Sequence, residues 1–187
     1  MGRPAKFTQE QMLDAALDIL GADGPAAVTM AAVSARTGAP IGSLYHRFAS
    51  RDLLLARLWL RCVESFQEGL LAAMAADDVE AAVLHTPRWC RAHPAAAAAL
   101  LLHRREDLAA EWPGPLGAEL AEVNGRLAAA LDAYLRRHPG ADRERLMFVL
   151  ADVPYGAVRR HLLAGRTPPP ELDTLIVTAC RAVLAAG

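Results

Sequence analysis

The stretch GSLYHRF, residues 42–48, combines groups that a buried segment or a solvated helix face would not need together. Tyr45, His46 and Arg47 carry hydroxyl, imidazole and guanidinium donors, which suit phosphate oxygens and the edges of bases. Gly42 and Ser43 are small enough to let the segment approach another surface closely. These residue types predict a contact with DNA, and a solvated basic face over an ordinary core is the alternative.

Helix signals on both sides of this stretch predict three short helices. Thr8 and Gln11 have the spacing of a capping box at the start of the first helix. Thr29 is an N-cap candidate for the second helix, and Gly38 suits its left-handed end. A third helix from about Ile41 to Phe48 then buries its apolar members on one face. The order helix, helix, glycine turn, helix is that of a helix-turn-helix.

The composition of the 187-residue chain favours an all-α fold. Hydrophobic residues make up 53% of the chain, largely through alanine, and aromatic residues only 5%. The net charge of −1 means that DNA binding has to come from a local surface. Beyond a long fourth helix that Ser50 caps, helices are predicted at 79–92, 94–108, 115–137, 142–164 and 171–186, with Pro154 and Gly156 bending the fourth of these five.

The segment TMAAVSARTGAPIGSLYHRFASRDLLL, residues 29–55, resembles the helix-turn-helix of TetR-family transcriptional regulators. The positions that match the family pattern are Gly38, Gly42, Leu44, Tyr45, Phe48, Ser50 and Arg51. Two residues depart from that pattern, because Ala39 replaces the usual valine and Pro40 replaces the usual serine or similar cap. Proline fixes φ but offers no side-chain cap, so the start of the third helix has to depend on turn geometry.

The resemblance implies a role for individual residues in the DNA contact. Thr29, Tyr45, Arg47 and Arg51 are expected to contact phosphates. Ile41, Gly42, Ser43 and His46 are expected to face base edges in the major groove. Arg36 is a possible further contact, with solvent exposure as the alternative. Lys6, together with Arg3, would form a basic arm, for which a disordered tail is the alternative.

The resemblance also implies an all-α chain of two parts, a helix-turn-helix DNA-binding domain at residues 1–51 and a helical ligand-binding and dimerisation domain at residues 52–187. In such regulators the last two helices pair with a second copy. Two copies would read a palindrome whose halves lie about 34–36 Å apart. Residues with helical spacing that suits burial in this dimer are Leu146, Val149, Val153, Leu175, Ile176, Ala179 and Val183, for which an intrachain core is the alternative.

Candidates for a small-molecule pocket are large or amphipathic residues on the middle helices. They are Phe66, His85, Trp89, Trp112, Met147 and Tyr155, and simple filling of the core is the alternative. Cys90 and His93, with His85 and His103 nearby, do not have the repeated ligand spacing of a metal site. No metal and no cofactor is therefore predicted, and the chain shows no signature of an enzyme.

The sequence thus predicts a homodimeric transcriptional regulator, most simply a repressor, that a small-molecule effector releases from a palindromic double-stranded DNA operator. The alternative is a DNA-binding regulator without an effector, whose C-terminal domain serves only dimerisation or a protein partner. A weaker third possibility is a helical small-molecule-binding protein or enzyme. Neither a signal peptide nor a membrane span is predicted, and three widely spaced cysteines favour a reducing cytoplasm.

Overall fold

The computed structural model describes residues 7–102 and 114–186, and these form helices and turns without a strand. The N-terminal helices are α1 (Gln9–Asp23), α2 (Met30–Thr37), α3 (Ile41–Arg47) and α4 (Arg51–Ala75). They are followed by α5 (Val79–Ala92), α6 (Pro94–Leu102), α7 (Gly114–Arg137), α8 (Arg143–Met147), α9 (Val153–Leu163) and α10 (Glu171–Ala185). The predicted all-α fold is confirmed, and the predicted helix ends agree with these bounds within about two residues wherever the chain is described.

The predicted helix caps are present in the structure. Thr8 and Gln11 form a reciprocal capping box at the start of α1. The Thr29 hydroxyl accepts from the backbone N–H of Ala32 at 3.0 Å, and the Ser50 hydroxyl accepts from that of Leu53 at 3.1 Å. Each cap satisfies an N–H group that the first turn of a helix cannot pair internally. These local bonds define where α1, α2 and α4 begin.

Pro154, inside the predicted helix 142–164, is accommodated by a change of helix type. Pro154 has no backbone N–H and cannot donate to the carbonyl four residues earlier. The structure places a π-helical turn, Phe148–Asp152, directly before it, between α8 and α9. The expected disturbance of this helical stretch is therefore a local widening of the helix at the proline.

The largest buried cluster joins the N-terminal helices to the rest of the molecule. Met12, Leu44, Phe48 and Leu55 lie in it, each at most 1% exposed. The same cluster contains Trp89 of α5 and residues of α6 and α9. A shared core therefore runs across the predicted boundary between residues 51 and 52, and that division of the chain into domains stays a prediction.

A second buried cluster lies farther along the chain, among α4, α5, α7, α8, α9 and α10. Its fully or almost fully buried members include Val83, Val149 and Ile176. α4 contributes residues to both clusters, because its 25 residues extend from the short N-terminal helices to the far helices. This helix is therefore the long element common to both parts of the molecule. Among the described helices, none combines the length and hydropathy needed to cross a bilayer.

Candidate DNA-binding surface and ligand cavity

Helix α3 separates its apolar residues from its polar ones as the sequence predicts. Leu44 is fully buried and Phe48, which follows the helix, is 1% exposed. Ile41 and Tyr45 are 46% and 52% exposed, and His46 is also exposed. Burying Leu44 and Phe48 stabilises the attachment of this short helix by roughly 1.5–3 kcal/mol per side chain. The side chains suited to contact DNA are therefore held outward on an anchored helix.

The turn before α3 works without a side-chain cap. Gly38 adopts φ +68°, a left-handed conformation that glycine tolerates better than other residues. Ala39 is buried, and the Ser34 hydroxyl donates to its carbonyl at 2.7 Å. The N–H of Ser43 donates to the carbonyl of Pro40 at 2.8 Å and so begins the helix. The two departures from the family pattern, Ala39 and Pro40, are thus accommodated by burial and backbone geometry.

The Arg47 side chain links α3 to the start of α1. Its Nη2 donates to the carbonyl of Phe7 at 2.7 Å, and its Nη1 donates to the carbonyl of Ser43 at 3.2 Å. The side chain is half-buried. A guanidinium has five donors, so both bonds leave donors for another acceptor. Arg47 therefore positions α3. Its predicted contact with a phosphate has to use the remaining donors of the guanidinium.

Arg51 holds the segment between α1 and α2 against α4. Its Nε donates to the carbonyl of Val28 at 2.6 Å, and its Nη2 donates to that of Pro25 at 2.6 Å. Both carbonyls lie at or beside the short 3₁₀ turn Pro25–Ala27. The structure thus gives Arg51 an intramolecular role that the sequence did not predict, and its phosphate contact stays a prediction.

The other predicted DNA contacts lie around α2 and α3. Thr29 is exposed at the first turn of α2, where unpaired backbone N–H groups favour an anion. Gly42 is exposed and Ser43 is half-buried, both in the first turn of α3. Arg36 forms an exposed pair with Asp18 of α1 at 3.4 Å, so it has a protein partner that the sequence did not indicate. Lys6, like Arg3, lies outside the described residues.

A largely apolar cavity of about 240 Å³ lies among α4, α5, α7 and the segment from α8 to α9. Phe66, Met147 and Tyr155, three of the predicted pocket residues, line it. We call this space the effector cavity. Its lining consists of Phe66, Leu70, Thr86, Leu127, Leu131, Met147, Leu150, Ala151 and Tyr155.

Two of the predicted pocket residues lie behind the cavity wall. His85 and Trp89 pack on Phe66 with ring centroids 4.9 Å and 5.2 Å away, and the Trp89 ring is nearly perpendicular to that of Phe66. Neither residue lines the effector cavity, and their contact with a ligand stays a prediction. Both rings pack on Phe66 from behind the cavity wall, because Thr86 is the residue of α5 that faces the cavity. Trp112 lies outside the described residues.

His85 is seated tightly against α4. Its Nε2–H donates to the carbonyl of Phe66 at 2.5 Å, which places the proton of the neutral ring on that nitrogen. A Cβ at Gly69 would lie 2.6 Å from the ring, so only glycine leaves room for it. Burial lowers the pKa of His85, and nearby His93 lowers it further, against the opposing effect of the bond to Phe66. His85 thus stabilises the wall as a neutral ring.

The residues predicted to form the dimer divide into two groups. Leu146, Val149 and Ile176 are at most 3% exposed within a single chain and belong to its second buried cluster. Within the single chain they are therefore core residues, and their contact with a partner stays a prediction. Val153 and Val183 are half-buried against the same cluster. Leu175 and Ala179 point outward from α10, and Leu175 is 63% exposed.

Residues 12–58, which contain the helices described above up to the first part of α4, match the family model for bacterial regulatory proteins of the tetR family. This segment matches the TetR family. No curated protein sequence matches the chain.

Solved structures of two regulators and a multidrug binding protein share the fold over nearly the whole chain. The regulator FadR from Bacillus subtilis, solved in complex with stearoyl-CoA, is 14% identical with a TM-score of 0.67, covering 95% of this chain and 98% of FadR. A TetR-family regulator from Marinobacter aquaeolei VT8 is 15% identical with the same TM-score, covering 94% of each chain. The multidrug binding protein EbrR, complexed with imidazole, is 18% identical with a TM-score of 0.59, covering 97% of this chain and 96% of EbrR.

Within the described residues, the sulfur and imidazole groups do not assemble into a metal site. All three cysteines are buried free thiols. Burial raises the pKa of Cys62 to about 11 and that of Cys90 to about 12, so both remain protonated at neutral pH. Their environment is that of core residues.

Several residues that line the cavity were missing from the sequence-based prediction. Leu70, Thr86, Leu127, Leu131, Leu150 and Ala151 complete the effector cavity beside the residues already named. Helical spacing could have placed Leu70 beside Phe66, and Leu131 beside Leu127, since each pair is four residues apart. It could not show which pairs on different helices face each other, because that depends on how the helices are rotated against their neighbours.

Proposed function

We propose that this transcriptional regulator is a homodimeric repressor that binds a palindromic DNA operator through α3 and leaves it when a small molecule occupies the effector cavity. One observation supports the DNA contact above all others. Tyr45 and His46 are exposed on the same short helix whose Leu44 is fully buried. An exposed aromatic hydroxyl and imidazole on a rigidly anchored helix suit phosphate and base-edge contacts in a major groove.

A second copy of the chain would pack on α9 and α10. These helices leave a groove of about 240 Å³ that is lined in part by Gly156, Arg160 and Leu175. A Cβ at Gly156 would meet no atom of the same chain, and Leu175 is largely exposed. A glycine inside a helix costs about 1 kcal/mol relative to alanine, and close approach of a partner helix would offset that cost. The face therefore suits a two-fold contact between copies.

Helix α4 offers a direct mechanical connection between the cavity and the DNA contact. Phe66 and Leu70 of α4 line the cavity, and Arg51 at the other end of α4 holds the carbonyls of Val28 and Pro25. Phe66 and Arg51 lie roughly 22 Å apart along the helix at 1.5 Å per residue. A ligand that displaces Phe66 would therefore change the position of the N-terminal helices.

Further ion pairs connect α4 to α1 and to α7. Arg61 of α4 donates to Glu10 at 3.0 Å and to Asp14 at 2.8 Å, both on α1. Arg57 of α4 pairs with Glu119 of α7. A shift of α4 would thus be passed to α1 and change the separation of two α3 helices in a dimer. A coupling of about 1–3 kcal/mol would change operator affinity by roughly 5- to 150-fold.

The effector cavity supports this proposal over a regulator that has no effector. A C-terminal domain that only dimerises would be expected to pack at the density of an ordinary core, with few voids larger than a water. The relatives FadR and EbrR, which share the fold, hold stearoyl-CoA and imidazole. An operator as partner also places the site of action in the cytoplasm. This chain is not proposed to be an enzyme.

Selection of bound genomic fragments with the purified protein tests the DNA contact and supplies the operator. Tyr45→Phe, which removes only the hydroxyl, is expected to weaken binding of every selected fragment by a similar factor. His46→Ala is expected to relax the preference at one base position by about 1–3 kcal/mol. Arg136→Ala, which removes an exposed charge in the last turn of α7, is the control. If Tyr45→Phe and His46→Ala both bind like the wild type, α3 is not the reading helix.

A further inference from the structure

Among the described residues, the lining of the effector cavity carries no charge. Its nine side chains are aliphatic or aromatic apart from the hydroxyls of Thr86 and Tyr155 and the thioether of Met147. The Tyr155 hydroxyl accepts a hydrogen bond from Nε of Arg159 at 3.2 Å, and Tyr155 is 38% exposed, so this group lies at the rim. Thr86 is 5% exposed and lies within the wall.

We propose that the ligand of this cavity is an uncharged, mostly apolar compound of about ten non-hydrogen atoms, with a single hydrogen-bonding group that meets Thr86. The inference depends on the proposed effector role of the cavity and names the chemical class of that effector. It follows from the charge, the size and the polar groups of the lining.

The absence of charge in the described lining excludes both anionic and cationic ligands. Moving a carboxylate or an ammonium from water into an apolar site costs several kcal/mol unless a partner of opposite charge is present. None of the nine lining residues supplies such a partner. Arg159 lies beyond the Tyr155 ring and is already bonded to its hydroxyl. A neutral ligand loses little hydration on entering and gains the burial of its apolar surface.

Volume sets the size of the ligand. A dry protein cavity of about 150 Å³ holds benzene, which has six carbon atoms. The effector cavity, at about 240 Å³, is larger by a factor of about 1.6 and therefore suits a ligand of about ten atoms. A ligand such as stearoyl-CoA, which the relative FadR binds, is both far larger and polyanionic. The ligand class of that relative therefore does not transfer to this cavity.

The Thr86 hydroxyl provides the polar contact. Among the described residues, no hydrogen bond to this hydroxyl is found, although the residue is almost fully buried. A hydroxyl can both donate and accept, so it can pair with an alcohol, a phenol or a carbonyl on the ligand. The next residue, Pro87, is buried and lies inside α5, and the preceding His85 is fixed by its bond to Phe66. The position of Thr86 in the wall is therefore well defined.

Calorimetric titration of the full chain with three probes of similar shape tests the inference. The probes are 4-propylphenol, 4-propylbenzoate and 4-propylbenzylamine, which are neutral, anionic and cationic at pH 7. We expect 4-propylphenol to bind and each ion to bind at least tenfold more weakly. Tighter binding of either ion, or no binding of 4-propylphenol at millimolar concentration, would overturn the inference.

Two variants locate the binding. Thr86→Val keeps the shape of the side chain and is expected to weaken the binding of 4-propylphenol by about three- to tenfold. 4-Propyltoluene has no polar group and is expected to bind Thr86→Val as tightly as it binds the wild type. Ala151→Phe fills the cavity and is expected to abolish binding of both compounds, with thermal unfolding as the check that the variant folds. Unchanged binding to Ala151→Phe, or an unchanged phenol affinity in Thr86→Val, would place the compound elsewhere and contradict the inference.

Operator binding in the presence of the probes separates this inference from the proposed function. If 4-propylphenol binds the cavity but leaves operator affinity unchanged, the ligand class stands and the effector role fails. If an ionic compound alone releases the operator through the cavity, the effector role stands and the ligand class fails.

Discussion

Nη2 of Arg47, on α3, donates a hydrogen bond of 2.7 Å to the backbone carbonyl of Phe7, two residues before α1. The two residues are 40 positions apart in the chain. The same guanidinium donates to the carbonyl of Ser43 one turn earlier in α3. The orientation of α3 relative to α1 therefore depends on one side chain as well as on the buried apolar residues.

Replacing this arginine is expected to affect both stability and DNA binding. Arg47→Ala loses two hydrogen bonds from a charged, half-buried donor and should lower the free energy of unfolding by about 1–2 kcal/mol. Tyr45 is exposed on the same helix, two residues before Arg47. Tyr45→Ala should weaken DNA binding but change the free energy of unfolding by less than about 0.5 kcal/mol. Urea denaturation and operator titration separate the two effects. A fully stable Arg47→Ala would show that the bond to Phe7 does not hold α3.

Arg51, which is half-buried, is expected to be important for stability. Arg51→Ala removes the bonds to Val28 and Pro25 and should lower the free energy of unfolding by about 2 kcal/mol. Arg51→Lys should recover only part of this, because an ammonium cannot reach both carbonyls as a planar guanidinium does. Arg36→Ala is the matched control, since its pair with Asp18 is exposed and should contribute no more than about 0.5 kcal/mol. Equal effects of Arg51→Ala and Arg36→Ala in urea denaturation would contradict this.

Stability should depend on pH through His85. Burial lowers the pKa of this ring below its ordinary value of 6.5, so the unfolded chain takes up the proton first as the pH falls. The free energy of unfolding should therefore decrease below pH 6.5, by at most about 1.4 kcal/mol per pH unit, until the pH reaches the lowered pKa of the folded state. Above pH 6.5 this contribution should be constant.

His85→Gln provides the comparison for that measurement. Glutamine keeps an N–H that can donate to the carbonyl of Phe66 but does not titrate. Burial also lowers the pKa of His161, and His161 is present in both proteins, so the difference between their pH profiles isolates His85. Parallel profiles of the two proteins between pH 5 and 7 would show that His85 does not titrate differently on folding.

The proposed dimer face can be tested on a single helix. Leu175 lies in the groove between α9 and α10, whereas Leu184 of the same helix lines a different groove that includes Val79 and Val83. Leu175→Asp should convert the dimer to monomer and weaken operator binding, because a carboxylate would be buried without a partner. Leu184→Asp, at a residue 40% exposed, should leave the dimer intact. Light scattering measures both, and a dimeric Leu175→Asp would move the interface to another face.

Local features of the fold were predictable because their causes are local. The capping box of Thr8 and Gln11 and the caps at Thr29 and Ser50 depend on residues within three positions of each other. Gly38 marks a helix end because few other residues accept its backbone conformation. The exposed Tyr45 and the buried Leu44 follow from helical periodicity. The helix-turn-helix could therefore be predicted before any coordinates.

The features that sequence reasoning could not place arise between helices that are distant in the chain. Leu146 and Ile176 have the spacing of a buried face, but spacing alone does not tell whether the covering surface belongs to the same chain or to a partner. His85 and Trp89 have the character of pocket residues, yet the rotation of α5 turns Thr86 to the cavity and places both rings behind Phe66. These choices are made by helix rotation and crossing.

The sequence by itself determined that the protein is helical and where its helix-turn-helix lies, because hydrogen-bonded caps, glycine turns and periodicity act over a few residues. Only the tertiary structure decided that Arg47 and Arg51 bind carbonyls of the chain itself. It alone also brought together α4, α5 and α7 around a cavity whose described lining is uncharged. The physical reason is that packing is collective, so the partners of a side chain depend on every helix that surrounds it.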